Sequence, residues 1–309
     1  MKKYILVIVL VCLCMNTFAQ EVSTYEESPL LKSMGEGDKA ALLMVHFGTT
    51  YDDTRAKTID KINEKAKREF TQLEVRECYT SRIILRRLKA RGMMKNNPLE
   101  AMMKLAAEGY THLIVQSTNI IEGVEVESLR RDVERMRPFF KEIRVGTPLL
   151  YSVEDAERIV KILTDRQPVS TKKREHVLLV GHGTETPATA IYSQLDYMFK
   201  ANGHTNYHVG TIEGYPTFDT ALRQIQQAKG RTVVLQPLMF VAGDHARNDI
   251  SEDWKGQLEN AGLKVELRIE GLGEIPEIQD IFIEHIRKMM QYRTRNISEK
   301  KKIYSKQKD

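Results

Sequence analysis

Apolar residues are distributed along this chain in two alternating rhythms. Short solid runs occupy residues 40–45, 111–116, 177–180, 207–212 and 232–235, with weaker ones at 74–78, 143–145 and 265–269. They are too short for buried helices and rich in Val, Ile and Leu, so they read as parallel strands covered on both faces. Between them the spacing changes to three and four. Ile59, Ile62, Ala66 and Phe70 share one helical face within residues 53–70. Pro98 opens a helix that stops at Gly109. Further helices are predicted over 127–136, 153–164, 188–200, 220–228, 249–261 and 276–292. Strand and helix in strict alternation require crossover connections, which are right-handed between parallel strands. The fold class is α/β.

The pattern also repeats. Residues 42–48 resemble 178–183, each with a histidine beside the closing glycine. Leu113-Ile114-Val115-Gln116 through Gly123 matches Val233-Val234-Leu235-Gln236 through Gly243 at the same spacing. Two such units predict two similar three-layer α/β/α lobes, each with a parallel sheet, facing one another across a cleft. The expected divisions are a leader at 20–38, a first lobe at 39–165, a polar connector at 166–175, a second lobe at 176–292 and a basic tail at 293–309. That tail lacks apolar periodicity and reads as a solvated, frayed end.

The first residues have a different logic. Lys2 and Lys3 precede an apolar run over 4–15, and Thr17-Phe18-Ala19 supplies small residues at a cleavage point. This is the form of a secretory signal peptide over 1–19, with a mature chain beginning at Gln20 and a periplasmic address. The run is short for a bilayer, so the mature form is expected to have no membrane span. Leu13 disfavours lipid attachment at Cys14. Cys12 and Cys14 leave with the signal, and Cys78 alone cannot form an internal disulfide; it reads as a buried structural thiol. The chain has 309 residues, 41% hydrophobic and 29% charged, enough for a large core. Its net charge of +5 lies partly in Lys2, Lys3 and the tail. No nucleic-acid motif is present, and no nucleic-acid partner is expected.

Three ligand-type residues each follow a predicted strand of the second lobe: His182 in Val-Gly-His-Gly-Thr, Glu213, and His245. Crevices at the carboxyl ends of parallel strands are where ligands bind in such folds. Two imidazoles and one carboxylate make an open site for a divalent transition metal, and cobalt, nickel, iron or zinc would all suit it. Spacing alone leaves the plainer reading open: a turn histidine, a helix-capping glutamate and an ordinary Asp244-His245 loop.

Four blocks carry a resemblance. His-Phe-Gly-Thr-Thr-Tyr at 46–51, Val-Gly-His-Gly-Thr at 180–184, Ile-Glu-Gly-Tyr-Pro at 212–216 and Pro-Leu-Met-Phe-Val-Ala-Gly-Asp-His-Ala at 237–246 resemble the anaerobic sirohydrochlorin cobaltochelatases, class II chelatases. The similarity runs from about residue 40 to 290. It implies the chelatase-like bilobal fold and insertion of Co(II), or Fe(II), into sirohydrochlorin for cobalamin synthesis, with no ATP or organic cofactor. It also implies that His182, Glu213 and His245 hold the metal. Of these, His182 is taken as the general base, because a neutral imidazole can accept a pyrrole proton. Sirohydrochlorin carries eight carboxylates, for which Arg82, Arg86 and Lys89 on one helical face are candidates; a solvated basic helix is the alternative. His46 and Glu125 occupy the equivalent first-lobe loops, Glu125 aligning with His245, and are expected to line the opposite wall. Met239 and Phe240 are assigned to core or pocket wall. Export sits apart from cytoplasmic cobalamin assembly, so a periplasmic haem or metal carrier retaining the fold is the second reading. A two-lobed protein closing on an anionic ligand is the third, and it would not need Glu213 or His245. The physiological metal, haem binding and homo-oligomer formation stay open.

Overall fold

The computed structural model describes residues 23–169, 174–244 and 246–306. The expected signal peptide at 1–19 and residues 170–173 of the connector lie outside this set, as does His245.

Two four-stranded parallel sheets form the framework. The first has the order β3-β2-β4-β5, from Glu74–Tyr79, Ala40–His46, His112–Ser117 and Glu142–Val145. The second has the order β7-β6-β8-β9, from Tyr207–Glu213, Glu175–Gly183, Thr232–Pro237 and Lys264–Leu267. The two orders are the same when counted within each half, which is the topological form of the internal repeat. Side chains alternate across each central strand. On β2, Leu42 and Met44 face the middle of the molecule while Leu43 and Val45 face outward; on β6, Val177 and Leu179 face inward and Leu178 and Val180 outward.

The outer face of the first sheet is covered by α4 (Pro98–Ala107) and α5 (Val124–Met136), through Met102, Leu105, Leu129 and Val133. The outer face of the second is covered by α8 (Phe218–Gln227) and α9 (Lys255–Asn260), with Trp254. Between the sheets lies a continuous apolar core shared by α2 (Ile59–Glu69), α6 (Val153–Arg166), α7 (Ala190–Ala201) and α10 (Pro276–Gln291). Here helices cross between halves. α6 ends the first half in sequence and packs on α7 of the second; α10 ends the second half and packs on β4 of the first. Buried Arg144 on β5 secures that crossing, donating to the Met289 carbonyl at 2.8 Å while pairing with Glu142 at 2.7 Å.

Three local departures from the sequence pattern have physical causes. The helix expected over 53–70 is broken at Thr58, where φ −117° and ψ −79° separate α1 (Asp52–Lys57) from α2. The helix expected from 249 begins as a π-helical segment, Ala246–Trp254, before tightening into α9. The tail is not simply frayed: β10 (Tyr292–Thr294) pairs antiparallel with β1 (Tyr25–Glu27) of the leader, and α11 (Ile297–Lys306) follows. Arg293 closes this pairing by bridging Glu26 and Glu299. Among the described residues no helix is long and apolar enough to cross a membrane.

Candidate functional site

The carboxyl ends of the central strands of both sheets open into one cleft of about 590 Å³. His46 closes β2, residues 118–121 follow β4, His182 and Gly183 close β6, Glu213 closes β7, and residues 238–244 follow β8. Its walls are mainly apolar, with Phe47, Ile83 and Val124 exposed at 38%, 55% and 52% beside buried Ile120, Ile121 and Phe240. Exposed apolar side chains gathered at one mouth mark a binding surface for an apolar ligand face.

His182 and Glu213 stand on the second-lobe wall of this cleft. Parallel pairing of β6 with β7 sets Gly183 opposite Glu213. Gly183 has φ +86°, and a Cβ there would lie 1.4 Å from the Glu213 carbonyl oxygen, so only glycine lets the two strand ends meet. Gly181 serves the same end, because a Cβ would lie 2.3 Å from the Tyr192 ring. The two glycines that bracket the histidine are thus packing requirements. His182 Nδ1 donates to the Gly183 carbonyl at 3.2 Å. A carbonyl can only accept, so the neutral ring carries its proton on Nδ1 and its lone pair on Nε2, the form a metal ligand or base requires. The Glu213 loop is held by Thr189, whose Oγ1 donates to the Tyr215 carbonyl at 3.2 Å and accepts from the Tyr215 amide at 3.2 Å.

Among the described residues, no group of three His, Cys, Asp or Glu side chains is gathered closely enough to hold a metal. His245, the third member of the expected set, lies outside the described residues, so the structure brings together two of the three. Its neighbours are placed: Asp244 lines the cleft, and Arg247 lies just outside it.

Both first-lobe residues expected on the opposite wall, His46 and Glu125, border the cleft, but they differ in what they can offer it. His46 borders the cleft but is 1% exposed, and both its ring nitrogens are engaged: Nε2 with Asn63 Oδ1 and Nδ1 with Thr118 Oγ1, each at 3.0 Å. Asn63 in turn donates to Glu77 at 2.7 Å, and Glu77 pairs with Lys95. That chain turns the Asn63 carbonyl oxygen toward Nε2, so Nε2 carries the proton. Burial holds the imidazole pKa below its ordinary value, partly opposed by the Glu77 charge. His46 therefore props the floor of the cleft and has no ring nitrogen to offer a substrate carboxylate. Glu125, in the first turn of α5, does line the first-lobe wall.

Arg82 and Arg86 are exposed on α3 (Arg82–Ala90) and are not among the cleft-lining residues; Lys89 is exposed likewise. The helix turns Ile83, Ile84 and Arg87 to the cleft instead. Positions 83 and 87 are one turn apart, whereas 82, 86 and 89 fall on the next stripe round the helix. Arg87 was missed because basic residues surround it; Ile83-Ile84 four and three residues earlier was the usable signal. Among described residues, Arg87 is the cation lining the cleft, against Glu125, Glu185, Glu213 and Asp244. The lining attracts cations more than it attracts carboxylates.

Comparison with known proteins follows the same outline. A family model described as cobalt chelatase (CbiK) matches residues 40–291. The chain is 37% identical over 253 residues to a sirohydrochlorin cobaltochelatase of Salmonella typhimurium, covering 80% of this chain and 95% of that one. It is 35% identical over 254 residues to the sirohydrochlorin cobaltochelatase CbiKC of Nitratidesulfovibrio vulgaris, covering 80% and 89%. Among solved structures, SirB from Bacillus subtilis with Fe3+ superposes at a TM-score of 0.58 and 15% identity, over 82% of this chain and 96% of that chain, a likeness of fold.

Proposed function

The chain belongs to the cobalt chelatase (CbiK) family, and on that premise we propose that it inserts Co(II) into sirohydrochlorin, with His182, Glu213 and His245 holding the incoming metal. The observation that carries the proposal is the family match across residues 40–291, both lobes included, together with His182 and Glu213 on one wall of an apolar cleft.

The reaction exchanges two pyrrole N–H protons for one Co(II), so a site must hold a cation and accept protons. With Nδ1–H given to the Gly183 carbonyl, the neutral His182 ring carries its lone pair on Nε2, the atom suited to either task. Glu125, Glu185, Glu213 and Asp244 make the cleft favourable to a divalent cation and to the protons that leave. The apolar wall formed by Phe47, Ile83 and Val124 suits the flat face of the macrocycle. With Arg87 as the lining cation, the substrate's carboxylates are best accommodated at the rim, turned toward water.

Export is part of the proposal. Lys2-Lys3, the apolar run over 4–15 and Thr17-Phe18-Ala19 support cleavage after Ala19 and a periplasmic enzyme. The test uses the mature protein, whose intact mass should begin at Gln20. Incubated without oxygen with sirohydrochlorin and Co(II), it should accelerate the absorbance change of metalation above the spontaneous rate. His182→Ala and His245→Ala should each remove most of that acceleration. A wild-type rate equal to the spontaneous one would overturn the reading, and tight haem binding in its place would support a carrier.

A further inference from the structure

The loop that carries His245 belongs to the second lobe, yet its flanking residues are gripped by the first. Asp244, one residue before His245, accepts a hydrogen bond from Arg87 Nη1 at 2.7 Å and is also bonded to the Tyr51 hydroxyl. Arg247, two residues after it, donates from Nη2 to Asp53 Oδ2 at 2.9 Å, and its guanidinium lies 4.0 Å from the centroid of the Tyr51 ring. Tyr51 is thus the hub: its hydroxyl takes one flank and its face the other. The Arg247 amide also donates to the Gly243 carbonyl at 3.1 Å, closing the loop on itself. Thr54 Oγ1, 3.5 Å from the Ala242 carbonyl, continues the same seam.

From this geometry we propose that Tyr51, Asp53, Arg87 and Arg247 are positioning residues for the metal: a clasp between the lobes, in which Tyr51, Asp53 and Arg87 of the first hold Asp244 and Arg247 of the second and so fix the loop that carries His245. The inference rests on the metal-holding role given to His245 above. Stability alone is a poor account of the clasp. The Arg87–Asp244 pair is 54% and 43% exposed and the Arg247–Asp53 pair 40% and 61%; exposed pairs of this kind contribute little to stability. Three side chains of one lobe, Tyr51, Asp53 and Arg87, meet the loop of the other on both sides of a single residue. Bonds of little energetic weight matter where they fix the position of a ligand, as partners behind a metal's direct ligands do. The consequence is that metal affinity depends on how the lobes are apposed, although all three ligands come from one of them.

Arg247 and Asp53 do not line the cleft, so substituting them leaves the tetrapyrrole surface intact. The measurement is Co(II) titration of the full mature chain without tetrapyrrole, read from cobalt d–d absorption, beside metalation kinetics and thermal unfolding. Arg247→Ala and Asp53→Ala should weaken Co(II) about 10- to 100-fold and raise KM for Co(II), with the midpoint of unfolding and KM for sirohydrochlorin unchanged. The charge-reversed pair Asp53→Arg with Arg247→Asp should recover much of the affinity. Tyr51→Phe, which loses the hydroxyl and keeps the ring, should give a smaller loss. If the wild type binds and inserts Co(II) and Arg247→Ala matches it, the clasp proposal fails alone. If the wild type neither binds nor inserts Co(II), the functional reading fails and takes the clasp with it.

Discussion

At the scale of single residues, the glycines around His182 are constrained more tightly than the histidine. Gly183 combines φ +86° with a Cβ position 1.4 Å from the Glu213 carbonyl oxygen, so a side chain there would push apart the ends of β6 and β7. Gly203 has the same φ of +86° and nothing within 4 Å of its Cβ position. The two positions therefore separate backbone preference from collision. Gly203→Ala should lose about 1 kcal/mol, the cost of a left-handed residue. Gly183→Ala should lose about 3 kcal/mol or more and abolish metalation, since the strand ends bearing His182 and Glu213 must shift. Urea unfolding of both variants checks this, and equal losses would refute the collision argument. His46 shows the opposite lesson. Its sequence position matched a functional histidine, but burial beside Thr118 and Asn63 made it structural.

At the scale of elements, the informative feature is the exchange of α6 and α10. Periodicity identified both helices, yet nothing in a helix's own spacing says which sheet it covers. α10 buries Ile278, Ile281, Phe282, Ile283, Ile286 and Met289 at 0–2% exposure in the core shared by the two sheets. At about 2 kcal/mol per side chain, their removal is worth on the order of 10 kcal/mol, comparable to the whole stability of a domain. Ending the chain after Ile275 should therefore abolish cooperative unfolding and expose the amides of β4, far away in sequence. Hydrogen exchange would show it. Retained protection on β4 in the shortened chain would mean that the first lobe stands without α10.

At the scale of the whole molecule, acid sensitivity follows from a network beneath the second sheet, away from the cleft. His176 Nδ1 and His208 Nε2 are 2.9 Å apart, and His208 Nδ1 donates to Gln224 Oε1 at 2.8 Å, with Gln224 donating to Asp196 at 3.2 Å. Each nitrogen has an assigned role only while both rings are neutral. Burial pulls the His208 pKa down to about 4 from 6.5, despite the Gln224 bond. Between those values the unfolded chain binds a proton that the folded chain refuses, so stability present above about pH 6.5 is lost as pH falls toward 4. The full effect is about 3 kcal/mol. Wild type should therefore lose more stability than His208→Gln between pH 7 and 4 in parallel denaturation series. Parallel curves would show that the pair does not couple to folding.

The sequence by itself determined the α/β alternation, the repeated halves and the second-lobe loops at the strand ends, because strand burial and helical amphipathicity are written in local spacing. It also carried the family, through four short blocks. His182 and Glu213 were legible for the same reason: each terminates a strand of one sheet, and parallel pairing must bring such ends to one rim. Tertiary structure alone decided the rest. It turned Arg87 rather than Arg82 or Arg86 to the cleft, because helix rotation is set by what the apolar side chains find to pack against. It joined the leader to the tail through β1 and β10, and it set Tyr51 between Asp244 and Arg247. These contacts link residues up to 276 positions apart, as Lys300 to Thr24 does. Local periodicity carries no information at that range; only the closing of one core between two sheets does.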